Sequence, residues 1–190
     1  MGIVPSLRRR SPADVVPRRR PGVASARAAQ DAALAALLGG NLFGRLAMHP
    51  ALTGVSNKEE RGRVLNRAWR RYGTVNSAAL AALVAGWLSA RGAESAAARS
   101  SDRRRLVLAK DIAVGTVVGT GLASALGGVG FARQAPGGAV PMESGSEPAA
   151  ETPRRAAALK QAVNILGDLN LAAEVALLVV DAQLDGRVAH

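Results

Sequence analysis

The chain has 190 residues, a length that suits a single domain. Hydrophobic residues make up 48%, aromatic residues only 3%, and the formal net charge is +11. Ala supplies close to half of the apolar positions, and this favours closely packed helices over a β-sandwich or barrel. The lack of cysteine excludes disulfides, zinc–thiolate sites and thiol nucleophiles, and two widely separated histidines exclude a multi-histidine metal site. The sequence therefore predicts an all-α protein, and it indicates neither a metal nor a cofactor.

The first part of the chain is strongly basic. Seven arginines lie within residues 1–27 against one acid, Asp14, and four prolines interrupt the segment. Such a segment cannot bury enough apolar surface to fold, so residues 1–23 are predicted to form a disordered basic tail. We expect the tail to hold the N-terminus on the cytoplasmic side of a membrane, against anionic lipid headgroups. Contact with nucleic acid is the alternative, and it is disfavoured because no folded nucleic-acid motif follows the tail.

The first predicted helix covers about residues 24–48. His49 and Pro50 are expected to end it, because the residue before a proline disfavours the helical region. Gly40 and Gly44 have the four-residue spacing that lets membrane helices approach closely, so both are predicted packing positions. With an acid near one end and Arg45 near the other, this helix is marginal as a membrane span.

The second predicted helix covers about residues 57–91, and Ser56 to Glu59 has the pattern of a capping box. Its first turns are amphipathic, and the arginines of residues 61–71 are predicted to contact anionic headgroups. The stretch that follows, residues 74–90, carries no charge and approaches the length of a span.

The third predicted helix, about residues 102–132, has the strongest membrane character. Residues 112–132 carry no charge and are long enough to cross the hydrocarbon core. Gly115, Gly119 and Gly127 recur at multiples of four residues, so they too are predicted helix-packing positions.

Residues 134–152 are rich in Pro, Gly, Ser and Glu and are predicted to form a flexible loop before the fourth helix, about residues 153–185. The fourth helix carries polar residues on one side, which should face the other helices rather than lipid. Two cations on other helices are the predicted partners: Lys110 for Glu174 or Asp181, and Arg45 for Asp168 or Asn164. The full set of intramembrane polar candidates is Arg45, Asn76, Lys110, Asn164, Asp168, Asn170, Glu174 and Asp181. Buried acids in membranes often mark proton or ion routes, and the alternative is that these groups only fix the helix register.

Four stretches have a recognisable pattern: residues 41–50 (NLFGRLAMHP), 66–76 (NRAWRRYGTVN), 131–138 (FARQAPGG) and 170–175 (NLAAEV). Through them the chain resembles a group of small actinobacterial multi-helix membrane proteins over roughly residues 30–185. The group has no assigned function, so the resemblance implies a location in a bacterial membrane and no chemistry.

These observations together predict a single helical membrane domain over residues 24–186, built as an antiparallel four-helix transmembrane bundle. The expected location is the bacterial cytoplasmic membrane, with several passes, and a homo-oligomer is compatible with the sequence. The predicted role is structural, regulatory or transport-related rather than enzymatic. One alternative is a soluble or peripheral helical bundle whose basic tail binds nucleic acid or anionic lipid. The other is a membrane-bound enzyme that uses Glu174 or Asp168 as a general acid or base, although no nucleophile motif accompanies them.

Overall fold

Four long helices make up most of the chain that the computed structural model describes, which is residues 21–186, with side chains described from residue 25. They are α1 (Pro21–Phe43), α2 (Lys58–Ala97), α3 (Ser101–Ala132) and α4 (Arg154–Gly186). Within residues 21–186 the only β feature is an isolated bridge between Met142 and Pro148. The predicted all-α class is confirmed. Residues 1–20 of the predicted basic tail lie outside the described residues.

The first helix does not end at the predicted proline break. Beyond α1, the chain continues through a π-helical turn (Gly44–Met48), a short helical turn (His49–Ala51) and a 3-10 turn (Leu52–Gly54). Met48 and His49 have helical dihedrals, and the His49 N–H donates to the Gly44 carbonyl oxygen, so Pro50 lies inside a continuous helical run directly after the π-helical turn. The proline therefore does not end the run, which continues to Gly54.

The start and the end of α2 both differ from the prediction. The N-cap is Asn57 rather than Ser56, because the Asn57 Oδ1 accepts a hydrogen bond of 2.9 Å from the backbone N–H of Glu60. At the other end α2 continues to Ala97, beyond the predicted end at residue 91. This extension brings Glu94 into the helix and into the interior of the bundle, at 4% exposure.

The four helices run antiparallel to their neighbours, as the sequence predicted. α1 packs mainly on α2, α3 packs mainly on α4, and lighter contacts between α2 and α3 and between α1 and α4 complete the bundle. The central core contains Leu83, Val117 and Leu177, none of which has exposed surface. A second core lies where the loop before α4 meets the bundle, and it includes Phe131 and Met142.

Two of the predicted packing glycines lie between α1 and α2. A Cβ atom added to Gly40 would lie 1.7 Å from the hydroxyl oxygen of Tyr72, and one added to Gly44 would lie 2.9 Å from the Trp69 ring. The Tyr72 hydroxyl donates a hydrogen bond of 2.7 Å to the carbonyl oxygen of Ala36 in the space that Gly40 leaves. These small residues therefore let the aromatic side chains of α2 lie directly on α1.

The glycines of α3 behave differently from one another. A Cβ atom on Gly127 would lie 2.8 Å from Val163 Cγ2, so Gly127 is a contact with α4. Gly115 and Gly119 are exposed, and a Cβ atom at either would have no atom within 4 Å in the described part of the chain. The four-residue spacing correctly placed Gly115 and Gly119 on one face of α3, but this face points away from the other helices. The predicted packing role of these two glycines within the bundle is therefore wrong.

The segment between α3 and α4 is packed against the bundle, although its composition predicts a flexible loop. Val140 and Met142 are buried, at 1% and 0% exposure. A Cβ atom on Gly62 of α2 would lie 2.0 Å from the carbonyl oxygen of Val140, so the loop backbone rests directly on that glycine. Gly137 and Gly138 have φ values of 63° and 74°, in the left-handed region that favours glycine. The small residues of the loop thus encode specific turns and close contacts.

Three helices, α2, α3 and α4, are long and apolar enough to cross a membrane, and α1 is not among them. Only 28%, 17% and 22% of their respective apolar stretches is buried inside the bundle. The exposed large apolar side chains include Phe43, Leu46, Leu126, Ile165 and Leu178. A water-soluble bundle would turn such residues inward, so their outward position is consistent with a membrane protein.

Candidate functional site

Charged side chains cluster at the end of the bundle where α1 begins and α2 ends. Lys110 Nζ lies 2.8 Å from Asp181 Oδ1 and 3.1 Å from Glu94 Oε1. Arg27 Nη2 lies 2.9 Å from the same Glu94 oxygen. The side chains of Lys110 and Glu94 are only 3% and 4% exposed, and that of Asp181 is 14% exposed. These four residues, one from each helix, are called the end cluster below.

The end cluster is closely packed and its charged groups are paired, although Arg27 Nε and Gln30 Oε1 are buried without a hydrogen-bond partner in the described part of the chain. The Gln30 amide donates a hydrogen bond of 2.8 Å to the second oxygen of Asp181, and Arg27 also pairs with Asp185 at 2.5 Å. The cavity among these residues is about 10 Å³, which is at most room for one water molecule. Since an organic ligand has no space there and most of the charges have partners, the end cluster is suited to holding the four helices together.

A second polar group lies deeper in the bundle and is called the central group below. The Asn41 Nδ2 donates hydrogen bonds of 2.8 Å to Glu174 Oε1 and 3.0 Å to Asn170 Oδ1. The Asn170 Nδ2 in turn donates to the Val117 carbonyl oxygen at 2.8 Å and to the Thr120 hydroxyl oxygen at 2.9 Å. The central group therefore links α1, α3 and α4 by a chain of hydrogen bonds.

Glu174 is the one member of the central group whose polar atoms are not all satisfied. Its side chain has no exposed surface, and its Oε2 has no hydrogen-bond partner in the described part of the chain. Burying a carboxylate in apolar surroundings is costly unless the charge is paired and hydrogen-bonded. Glu174 thus differs from Glu94, which contacts both Lys110 and Arg27.

The predicted pair of Lys110 with Asp181 is present, but the other predicted partner, Glu174, contacts Asn41 instead. Sequence reasoning missed Glu94, the second partner of Lys110, because it placed the end of the second helix at residue 91. Residues 91–99 contain one acid between two arginines, and this pattern does not indicate that Glu94 points inward.

The predicted pair of Arg45 with Asp168 is also present, at a more exposed position where the two side chains are 33% and 63% exposed. Asn164, the alternative partner, donates instead to the carbonyl oxygen of Ser146 in the loop, at 2.7 Å. Asn76 is half-buried, and its side chain makes no hydrogen bond within residues 25–186. It therefore belongs to neither of the two polar groups.

Asn41 and Gln30 are further interior residues that the sequence reasoning did not select. Both lie on α1 among small apolar residues, and Gln30 is 2% exposed. An uncharged amide in an Ala-rich helix is a weak signal, because surface helices carry such residues too. Gln30 and Asn41 are eleven residues apart and so share one side of α1, but that side is about 80–100° away from Gly40, and the packing prediction did not select it.

The described residues offer no arrangement typical of a metal centre. Among residues 25–186, no three His, Asp or Glu side chains converge on a point where they would hold a metal ion. Comparisons with protein-family models, with curated proteins and with solved structures found no match to this chain. The functional argument therefore depends on the bundle itself.

Proposed function

We propose that this chain is an integral, multi-pass membrane protein, located in the cytoplasmic membrane of a bacterium. The observation that carries the proposal is the inverted distribution of side chains. Large aliphatic residues such as Leu126 and Leu46, both 75% exposed, cover the outside, whereas Lys110, Glu94 and Glu174 are enclosed. Lipid is the solvent that favours this arrangement, since charged groups in membranes face the bundle interior.

The orientation follows from the basic residues. The arginine-rich tail favours a cytoplasmic N-terminus, because basic segments remain on the cytoplasmic side and are attracted to anionic lipid. The five arginines of residues 61–71 lie at the other end of α1 and would then meet headgroups at the opposite surface, which runs against the positive-inside rule and makes the tail the basis of the proposed orientation. Since α1 falls outside the set of helices apolar enough to span, we propose that α2, α3 and α4 shield it from lipid where its polar residues lie.

The experiment that tests the membrane assignment is sequential extraction of a membrane fraction that contains the tagged protein. High salt, alkaline carbonate and detergent are applied in that order. Release only by detergent is expected, because exposed apolar helices are held by the hydrocarbon core. Release by high salt would contradict the proposal and would favour a peripheral bundle held by its basic tail, since phosphate binding is strongly salt-dependent.

A transport-related role is the second part of the proposal, and Glu174 is the observation that favours it. The carboxylates of the end cluster are paired with Lys110 and Arg27, so their charges are neutralised within the cluster. Glu174 is fully enclosed and has one unpartnered oxygen. A carboxyl group in such a place can take up and release a proton, as acids in membrane proton relays do. We therefore propose Glu174 as a proton-binding group in the centre of the bundle.

Proton flux into reconstituted vesicles tests this role. Vesicles with an internal pH dye are given a potassium diffusion potential, and acidification is compared with that of empty vesicles. Glu174→Gln keeps the shape and the acceptor for Asn41, so it should fold normally and abolish the flux. Glu143→Gln, which removes an exposed carboxylate of the loop, is the matched control and should leave the flux unchanged. Equal flux in wild-type and Glu174→Gln vesicles would assign Glu174 to structure alone.

A further inference from the structure

A second buried lysine lies near the loop, at the end of the bundle opposite to the end cluster. Lys160 on α4 is 5% exposed, yet its ammonium group has no hydrogen-bond or ion-pair partner within residues 25–186. Lys110, the other buried lysine of the described chain, contacts two carboxylates. A largely buried ammonium without a counter-charge is costly. The Lys160 Nζ atom has no partner in the described chain and keeps some exposed surface, so an anion from outside the described chain can reach it.

His49 lies close to Lys160 and also has an unused polar atom. Its Nε2 is buried and has no hydrogen-bond partner in the described part of the chain. The imidazole meets the edge of the Trp69 ring, with 6.1 Å between the ring centres. Burial lowers the pKa of His49 to about 4, and the positive charges of Lys160 and Arg45 contribute to the shift. Arg45 lies four residues before His49 in the same helical run and pairs with Asp168 of α4, so it lies between the imidazole and that helix.

The loop covers the same place from outside. The N–H of Gly145 donates a hydrogen bond of 3.2 Å to the carbonyl oxygen of His49, and a Cβ atom on Gly145 would lie within 2.6 Å of His49 atoms. Asn164, one helical turn after Lys160 and on the same face, donates to the carbonyl oxygen of Ser146. Loop residues 145–146 therefore cover both His49 and the turn of α4 that joins Lys160 to Asn164.

We propose that Lys160 and His49, with Arg45 beside them, bind a phosphate group, and that its source is the headgroup of an anionic phospholipid. The anion would supply the counter-charge that Lys160 lacks and accept a hydrogen bond from His49 Nε2. Hydrogen bonds between charged partners are about twice as strong as neutral ones. The lipid source is favoured because Phe43 and Leu46, 65% and 75% exposed, flank Arg45 and offer an apolar surface for an acyl chain.

The lipid source rests on the membrane location proposed above, whereas the phosphate site does not. Binding of inorganic phosphate would therefore survive a failure of the membrane assignment. The two sources are separated by using lipid and free phosphate as independent ligands on the same purified protein.

Detergent-purified full-length protein is titrated with phosphatidylglycerol, with zwitterionic phosphatidylcholine and with inorganic phosphate. Thermal stability and native mass spectrometry give the bound fraction. Phosphatidylglycerol is expected to bind the wild type and Lys160→Arg, and to bind Lys160→Met about tenfold or more weakly, because a charged hydrogen bond contributes that much to affinity. Lys58→Met, which removes an exposed lysine that contacts Glu143, is the matched control and should bind normally.

His49→Phe provides a second variant in case Lys160→Met does not fold, and it should also weaken the binding of phosphatidylglycerol. If inorganic phosphate alone gives the effect that depends on Lys160, the phosphate site stands and the lipid source is overturned. If phosphatidylcholine binds as tightly as phosphatidylglycerol, recognition of negative charge is overturned. If no ligand distinguishes the wild type from Lys160→Met or His49→Phe, the site itself is overturned.

Discussion

Replacing Lys110 by methionine should destabilise the bundle strongly. Methionine is close to lysine in length and apolar, so it fills the same space while it removes the cation between Glu94 and Asp181. Both carboxylates are largely enclosed, with side chains 4% and 14% exposed. Removal of one partner from a buried ion pair leaves an uncompensated charge, which costs about 3–5 kcal/mol.

The contacts in the end cluster place the expected loss near the lower end of that range, at about 3 kcal/mol. Arg27 remains 2.9 Å from Glu94, so this carboxylate keeps one cation. Asp181 keeps only the amide of Gln30 and therefore carries most of the cost. A second substitution, Asp181→Asn, should recover much of the loss in the Lys110→Met background, because the amide needs no counter-charge.

The free energy of unfolding is measured by reversible denaturation in mixed detergent micelles, with tryptophan fluorescence as the readout. A double-mutant cycle between Lys110→Met and Asp181→Asn should give a large coupling, and a cycle with Glu174→Gln should give little. In charge-reversal form, Asp181→Lys should rescue Lys110→Glu, and Glu174→Lys should not. A loss below about 1 kcal/mol for Lys110→Met, the value of an exposed pair, would refute the reasoning.

Two further predictions concern the α1–α2 contact and the loop. Gly40→Ala should destabilise the protein by about 1–3 kcal/mol, because its Cβ would displace Tyr72. Gly39→Ala is the control: a Cβ there has no atom within 4 Å, so this change should be neutral or stabilising by up to about 1 kcal/mol. Equal unfolding free energies for the two variants would contradict the predicted clash. The hydrogen bond from Lys58 and the charge of Lys58 lower the pKa of Glu143 below its ordinary value of 4.5. The Lys58–Glu143 pair therefore stabilises the fold fully above pH 4.5, and this stabilisation is lost as the pH falls through the lowered pKa. The melting temperature of wild type should therefore fall more steeply below pH 4.5 than that of Glu143→Gln, and parallel curves would show that the pair does not matter.

The two ion pairs show how far sequence reasoning reached. Antiparallel helices of known length fix which residues lie at the same depth, so counting along the chain left two partners for each cation: Glu174 or Asp181 for Lys110, and Asp168 or Asn164 for Arg45. The structure selects Asp181 and Asp168. The partner of Glu174 was not predicted, because Glu174 bonds to Asn41 of α1. Asn41 is uncharged, and a search for opposite charges does not select it. Glu94 was missed because a helix end is set by local capping and by packing, and neither is visible in hydropathy.

The sequence by itself determined the helical class, the positions of the apolar stretches and the antiparallel order, because these depend on composition and on the period of a single helix. It also marked the polar side of α4, since that pattern is local. Only the tertiary structure decided which face of each helix meets a neighbour. Gly40 and Gly115 have similar local patterns, yet one contacts Tyr72 and the other lies on the surface. The choice depends on the shape of the whole bundle, where each side chain competes with all others for the same enclosed volume.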